Sequence, residues 1–188
     1  PNSGEITFLF QKPLWIESIC EDDSGLLWIG TRESGIMCYD PLRKKSIYHA
    51  YNPDDSLTIS NNRVRQISKD KAGNLLIIAG RNLNKYDQKA QKFIRLGEKD
   101  GFPVNIFQVT EDEKGNLWMS TLTGTVKYNL RTNQFKNFVN ITGRGHKTRS
   151  GELYFVNLDG ITRFHPDSLV DNPYIPQIVI TSFRKFEN

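Results

Sequence analysis

His49, His146 and His165 are the three imidazoles of the chain, and an imidazole is the usual general base near neutral pH. None of them stands in a His-Glu-x-x-His pattern, no Gly-x-Ser-x-Gly nucleophile turn occurs, and both standard glycine-rich phosphate loops are missing. No carboxylate cluster accompanies a histidine to complete a metal set. Cys20 and Cys38 are two cysteines, too few for a tetrahedral metal site or a disulfide framework. No cofactor is expected. The chemistry that remains is recognition, through guanidinium and carboxamide donors and aromatic faces, and its residues can be chosen only once their positions are known.

A repeat sets those positions. "EDDSGLLWIGT", "KDKAGNLLIIA", "EDEKGNLWMST" and "KTRSGELYFVN" carry Gly25, Gly73, Gly115 and Gly151, spaced 48, 42 and 36 residues apart. Leu27, Leu75, Leu117 and Leu153 follow two residues after each glycine, and Trp28, Leu76, Trp118 and Tyr154 come next. A second turn position holds Gly35, Asn82, Gly124 and Gly160, residue types that tolerate positive φ. Tyr39, Tyr86, Tyr128 and Phe164 close each copy.

Each copy predicts antiparallel strands. Strand a covers 16–21, 64–69 and 106–111; a tight Asp-x-x-Gly turn leads to strand b, which carries the Leu-Trp; a glycine turn leads to strand c, such as 36–40; a polar turn leads to outer strands d at 46–49, 93–96 and 135–138. No helical periodicity occurs. Leu26-Leu27-Trp28-Ile29 is apolar at every position, so strand b is buried on both faces. Small sheets stacked around an axis bury their middle strands in that way, which predicts an all-β fold of four-stranded β-propeller blades. The Trp row is then core. Strand b separates Cys20 from Cys38, and two strand spacings of about 4.8 Å put their Cα atoms about 9–10 Å apart. A disulfide needs less than about 7 Å, so two free thiols are expected.

The net charge is +4 over 188 residues, with no basic run longer than Arg43-Lys44-Lys45, which argues against nucleic-acid binding. No stretch approaches the roughly 20 apolar residues of a membrane span. The chain begins at Pro1 without an initiator Met, as an excised piece would.

"EDDSGLLWIGTRESGIMCYDP" and "EDEKGNLWMSTLTGTVKYNL" resemble the two-component regulator propeller repeat, and "LTISNNRVRQISKD" matches its linker. "GITRFHPDSLVDNPYIPQIVITSFRKFEN" resembles the family's last blade followed by the first strand of its immunoglobulin-like domain. The resemblance implies the C-terminal part of the second propeller of a periplasmic sensor. Beyond it would lie the immunoglobulin-like domain, a membrane helix, a histidine kinase, a receiver and a DNA-binding domain. On that reading residues 1–171 are a partial propeller of about four blades, near 14–50, 62–96, 104–138 and 146–170. Residues 5–10 are an outer strand of a preceding blade, and 172–188 lead into the next domain. The chain itself has no catalysis. The repeat also resembles streptogramin-lyase propellers, which use a histidine base and a metal; His49 and His165 are expected at exposed blade edges and His146 toward the axis.

The long connections at 51–63, 97–105 and 139–146 share one face, where a rigid scaffold presents binding residues. Trp15, Arg63 and Asn105 each precede the first apolar residue of strand a. Arg32, Arg81, Asn82 and Thr123 join them from the b–c loops, and His146 from the last copy. Such donors and an aromatic face suit an acidic or neutral oligosaccharide. The alternative is a dimerisation or interaction scaffold. The opposite turns, such as "EDDSG" and "PLRKK", are expected to be merely solvated. The segment "EITFLF" either closes a four-bladed ring or belongs to a preceding blade. The second arrangement is the one expected here, and it leaves an open arc that self-associates. The expected partners are an oligosaccharide, the missing blades and the immunoglobulin-like domain, with no contact to nucleic acid or membrane.

Overall fold

The computed structural model describes residues 14–169. The first sheet runs β1 (Ile16–Glu21), β2 (Leu27–Thr31), β3 (Ile36–Asp40), β4 (Lys45–His49), and the second β5 (Val64–Lys69), β6 (Leu75–Ala79), β7 (Asn82–Asp87), β8 (Lys92–Leu96). The third runs β9 (Gln108–Glu111), β10 (Leu117–Thr121), β11 (Gly124–Asn129), β12 (Gln134–Phe138), and the fourth has three strands, β13 (Arg144–Lys147), β14 (Leu153–Asn157), β15 (Gly160–Phe164). Every neighbouring pair is antiparallel and follows chain order, the meander of a propeller blade. The outer strands begin one residue earlier than the sequence predicts. After β15 the chain enters a single 3-10 turn, Pro166–Ser168, in which the His165 ring accepts the Asp167 N–H. The expected strands at 5–10 and within 172–188 lie outside the described residues.

The middle strands are apolar on both sides because each faces two neighbouring sheets. In β6, Leu75, Ile77 and Ala79 join Trp28, Ile36 and Cys38 of the first sheet, while Leu76 and Ile78 join Ile106, Val109 and Met119 of the third. In β10, Leu117 and Met119 face back to the second sheet, and Trp118 faces Leu153 and Phe155 of the fourth. Each large aliphatic side chain removed from water here contributes roughly 1.5–3 kcal/mol. Three apolar clusters thus join sheet one to two, two to three and three to four. Among the described residues none joins four to one. Ile16 and Ile19 are 51% and 61% exposed, whereas their counterparts Val64 and Ile67 are 0% and 5% exposed. At the far end Val156 and Ile161 are exposed, whereas the equivalent Ile78 and Leu83 are buried. Among the described residues, the outer faces of the first and fourth sheets are left uncovered.

The repeated turn explains its own residue order. Asp22 Oδ1 accepts the Ser24 and Leu26 N–H groups at 2.8 and 3.1 Å, and its Oδ2 accepts the Trp28 indole N–H at 2.8 Å. Asp112 does the same with Lys114, Asn116 and the Trp118 indole. Gly25, Gly73, Gly115 and Gly151 all sit at positive φ, between +79° and +84°. The carboxylate is therefore buried without a cation because several N–H groups converge on it. Where Leu76 stands in place of the indole, the Asn74 carboxamide donates to Asp70, as the Asn116 carboxamide does to Asp112 alongside its indole. In the fourth copy Thr148 takes the aspartate's place and its hydroxyl accepts the Glu152 N–H.

Asn82 departs from the sequence reading: it is not at positive φ. Ala79 pairs with Asn82 across the hairpin, so the turn is made by Gly80 and Arg81, and Gly80 takes φ +63°. The a–b turns are also more than solvated. Lys69 meets Asp23, Lys71 and Lys147 both meet Glu113, and Lys114 meets Asp167, each pair crossing from one sheet to the next at 2.5–3.0 Å.

Candidate functional site

In each of the first three inner strands, two buried or core-type positions stand three residues apart: Ile16 and Ile19, Val64 and Ile67, Ile106 and Val109. A flat strand would put them on opposite faces. A bulge resolves the conflict by adding one residue. Ile16 pairs with Thr31 and Ser18 with Gly30, leaving Glu17 extra; Val64 pairs with Ala79 and Gln66 with Ile78, leaving Arg65 extra. Phe107 holds the same place in the third sheet, where its N–H donates to Ser120 O at 2.9 Å. Glu17, Arg65 and Phe107 all line one cleft of about 910 Å³.

The cleft runs along the inner strands, and its other walls are Arg63, Gln66, Gln108, Gly143, Arg144, Gly145, His146 and Val156. Its floor is tied across the sheets by one repeat position. Ser18 Oγ accepts the Ile67 N–H at 2.9 Å. Gln66 accepts the Val109 N–H at 2.9 Å and donates to Val109 O at 2.8 Å. Gln108 donates to Gly145 O. The residues after the bulge therefore replace missing backbone pairing between neighbouring inner strands.

Glu17 accepts a hydrogen bond from Arg63 Nη2 at 3.1 Å and lies 3.9 Å from Arg32 Nε. Arg32 stacks on the Trp15 ring at 4.7 Å, and its N–H donates to Trp15 O at 2.8 Å. Arg81 donates to Asn105 Oδ1 at 2.9 Å, and Asn105 tolerates φ +60°. Burial first, and then the charge of Arg63, lowers the Arg65 pKa; Glu17 opposes them, and Arg81 and Arg144 add to the lowering.

Of the sequence-derived candidates, the structure brings Arg63 and His146 into the cleft and attaches Trp15 and Arg32 through Glu17. Arg81 and Asn105 form a separate pair. Asn82 lines a different hollow with Tyr51, Leu57 and Arg95, and Thr123 a third beside Phe102 and Val139. Sequence reasoning passed over Glu17, Arg65, Phe107 and Arg144. The three-residue apolar spacing was the signal for the first three.

His49 is not at a free edge: it stacks on Trp28 at 5.5 Å and meets Tyr86 and Phe93, and burial lowers its pKa. Among the described residues no group of three His, Cys, Asp or Glu is arranged to hold a metal, and no helix is long and apolar enough to cross a membrane.

Residues 11–33 match the family model described as the two component regulator propeller. Histidine kinase P4 of Formosa agariphila is 33% identical over 236 aligned positions, which take in 92% of this chain and 17% of that protein. The chain thus spans about a sixth of the length of this relative. The crystal structure of the extracellular domain of a hybrid two-component system from B. thetaiotaomicron superposes with a TM-score of 0.74 at 28% identity, covering 89% of this chain and 24% of that one. Virginiamycin B lyase from Staphylococcus aureus shares the fold alone, with a TM-score of 0.57 at 15% identity, covering 84% of this chain and 58% of the lyase. Four copies of one repeat in register, the first matched by the family model over residues 11–33, make the chain similar to the two-component regulator propellers.

Proposed function

We propose that the chain is a ligand-sensing module from the periplasmic part of a hybrid two-component protein. On this reading it responds to oligosaccharides released by polysaccharide breakdown and passes the signal to a histidine kinase elsewhere in the same protein. The observation that carries the reading is the row of residues at the repeat position where the first two inner strands bulge. Glu17, Arg65 and Phe107 occupy one repeat position yet differ completely in chemistry, and all three line the cleft. A position kept for packing would hold similar side chains, as Leu27, Leu75, Leu117 and Leu153 do one strand away. Bulges re-aim side chains and recur beside functional sites. Likeness to an extracellular domain of a hybrid two-component system supports the setting. No catalytic step is assigned to the module.

Hydrogen exchange of the whole chain with and without an oligosaccharide mixture tests this. Protection at 17–19, 65–67, 107–109 and 144–146 is expected. Protection that follows protein concentration rather than saccharide, and is confined to β1, β14 and β15, would replace sensing with the scaffold reading. That second reading draws on exposed Ile16, Ile19, Val156 and Ile161 on the outer faces of the first and fourth sheets.

A further inference from the structure

We propose that the axial cleft holds an anionic group of its ligand, a carboxylate or a sulfate ester, against the Arg65 guanidinium with Arg63 and Arg144 beside it. This rests on the ligand-sensing reading and narrows it from saccharides in general to charged ones.

The cleft wall carries Arg63, Arg65 and Arg144 and one carboxylate, Glu17. That carboxylate pairs with Arg63 at 3.1 Å and lies 3.9 Å from Arg32, so it has no direct partner in Arg65 or Arg144. It acts on Arg65 only through space, against the opposing charges of Arg63, Arg81 and Arg144. Nε of Arg65 and Nε of Arg63 are sealed from solvent without a hydrogen-bond partner among the described residues. The bulge holds Arg65 at this spot, so the crowding of like charges is built into the strand rather than left to a mobile surface side chain.

The Gln66 and Gln108 carboxamides are occupied in tying the inner strands together and Arg63 donates to Glu17, which leaves Arg65 and Arg144 to meet a ligand. A guanidinium is a planar fork that meets a carboxylate or sulfate through paired hydrogen bonds, and burial strengthens them. Phe107 adds an apolar face for the sugar ring carrying the charge. A cleft of about 910 Å³ is also in the size range of small-ligand sites.

Calorimetric titration of the whole chain with trigalacturonate, galactose 6-sulfate and neutral galactotriose, at low and high salt, tests the proposal. At least one charged probe should bind about tenfold or more tightly than galactotriose at low salt, and lose that advantage at high salt. Whichever charged probe leads identifies the carboxylate or the sulfate as the source. Arg65→Gln should abolish the advantage while leaving the melting temperature unchanged or raised, and Arg65→Lys should restore part of it. Galactotriose binding as tightly as the charged probes, unaffected by Arg65→Gln, overturns the anion inference and leaves the sensing reading standing. Failure of all three probes to bind or to protect the cleft from exchange overturns both.

Discussion

The Trp118 indole N–H donates to Asp112 Oδ2 at 2.8 Å, with both residues almost wholly buried. The same bond joins Trp28 to Asp22. An acidic turn and an aromatic six residues later are therefore one unit: the carboxylate orders the turn through Oδ1 and fixes the ring through Oδ2. The ring in turn packs between sheets three and four.

Trp118→Ala should cost about 3–5 kcal/mol, as expected for a large aromatic lost from a packed core. Trp118→Phe keeps a ring but leaves Asp112 one donor short, and should cost about 1–3 kcal/mol. Urea titration measures both. A loss below about 1 kcal/mol for the alanine variant would contradict the inter-sheet position of the ring.

Cys20 and Cys38 flank Trp28 in one cross-strand row, since Cys20 and Cys38 each pair with Trp28. Both are free thiols. Burial raises the Cys20 pKa and lifts that of Cys38 to about 11, so neither is a ready thiolate at neutral pH. A thiol reagent should count two in denaturant and react far more slowly in the folded chain. A count of zero for the monomer would refute the strand order.

Much of this was legible beforehand. The register of Leu27, Leu75, Leu117 and Leu153 marked the middle strands because each stands in a short run bounded by turn residues at one place in the repeat. The cleft was harder to see. The wall residues Arg65 and Phe107 look like ordinary strand positions until the bulge is recognised, and Arg144 belongs to a copy whose aspartate is replaced by Thr148. The Asn82 assignment failed because a two-residue turn moved the strained position to Gly80, which sequence alignment of the copies does not reveal.

Glu113 accepts hydrogen bonds from Lys71 first and Lys147 second, and they hold its carboxyl down to about 2, from an ordinary 4.5. A depressed carboxylate stabilises the fold fully above its unfolded value. That contribution fades as pH falls from about 4.5 toward 2. A carbon-detected NMR titration of Glu113 should show the low midpoint, and Lys71→Met should raise it. A midpoint at the ordinary value in the unaltered chain would mean that the two lysines do not bridge the sheets.

Gly25 and Gly35 share positive φ, +79° and +77°, but differ in space. A Cβ on Gly25 meets nothing within 4 Å, whereas one on Gly35 would lie 2.2 Å from His49 O. Gly25→Ala should cost only the backbone strain, about 1–2 kcal/mol. Gly35→Ala should cost more, because β4 must also shift. Thermal unfolding of the two variants side by side checks the order, and equal losses would refute the close approach.

The uncovered outer faces of the first and fourth sheets should drive association, because exposed apolar patches of this kind mark interaction surfaces. Light scattering over a dilution series should show species larger than 21.6 kDa at high concentration. Ile19→Lys should shift them toward the monomer. A monomer at every concentration would argue that these faces are covered.

Ser18, Gln66 and Gln108 do one task with side chains of different length. Serine reaches the next inner strand through a single carbon, and glutamine through three. The interval between neighbouring sheets at the axis is therefore set by a spacer of one residue, chosen separately in each repeat. A lineage could widen or narrow the aperture of the cleft by altering that one codon while every packed strand b stays as it is.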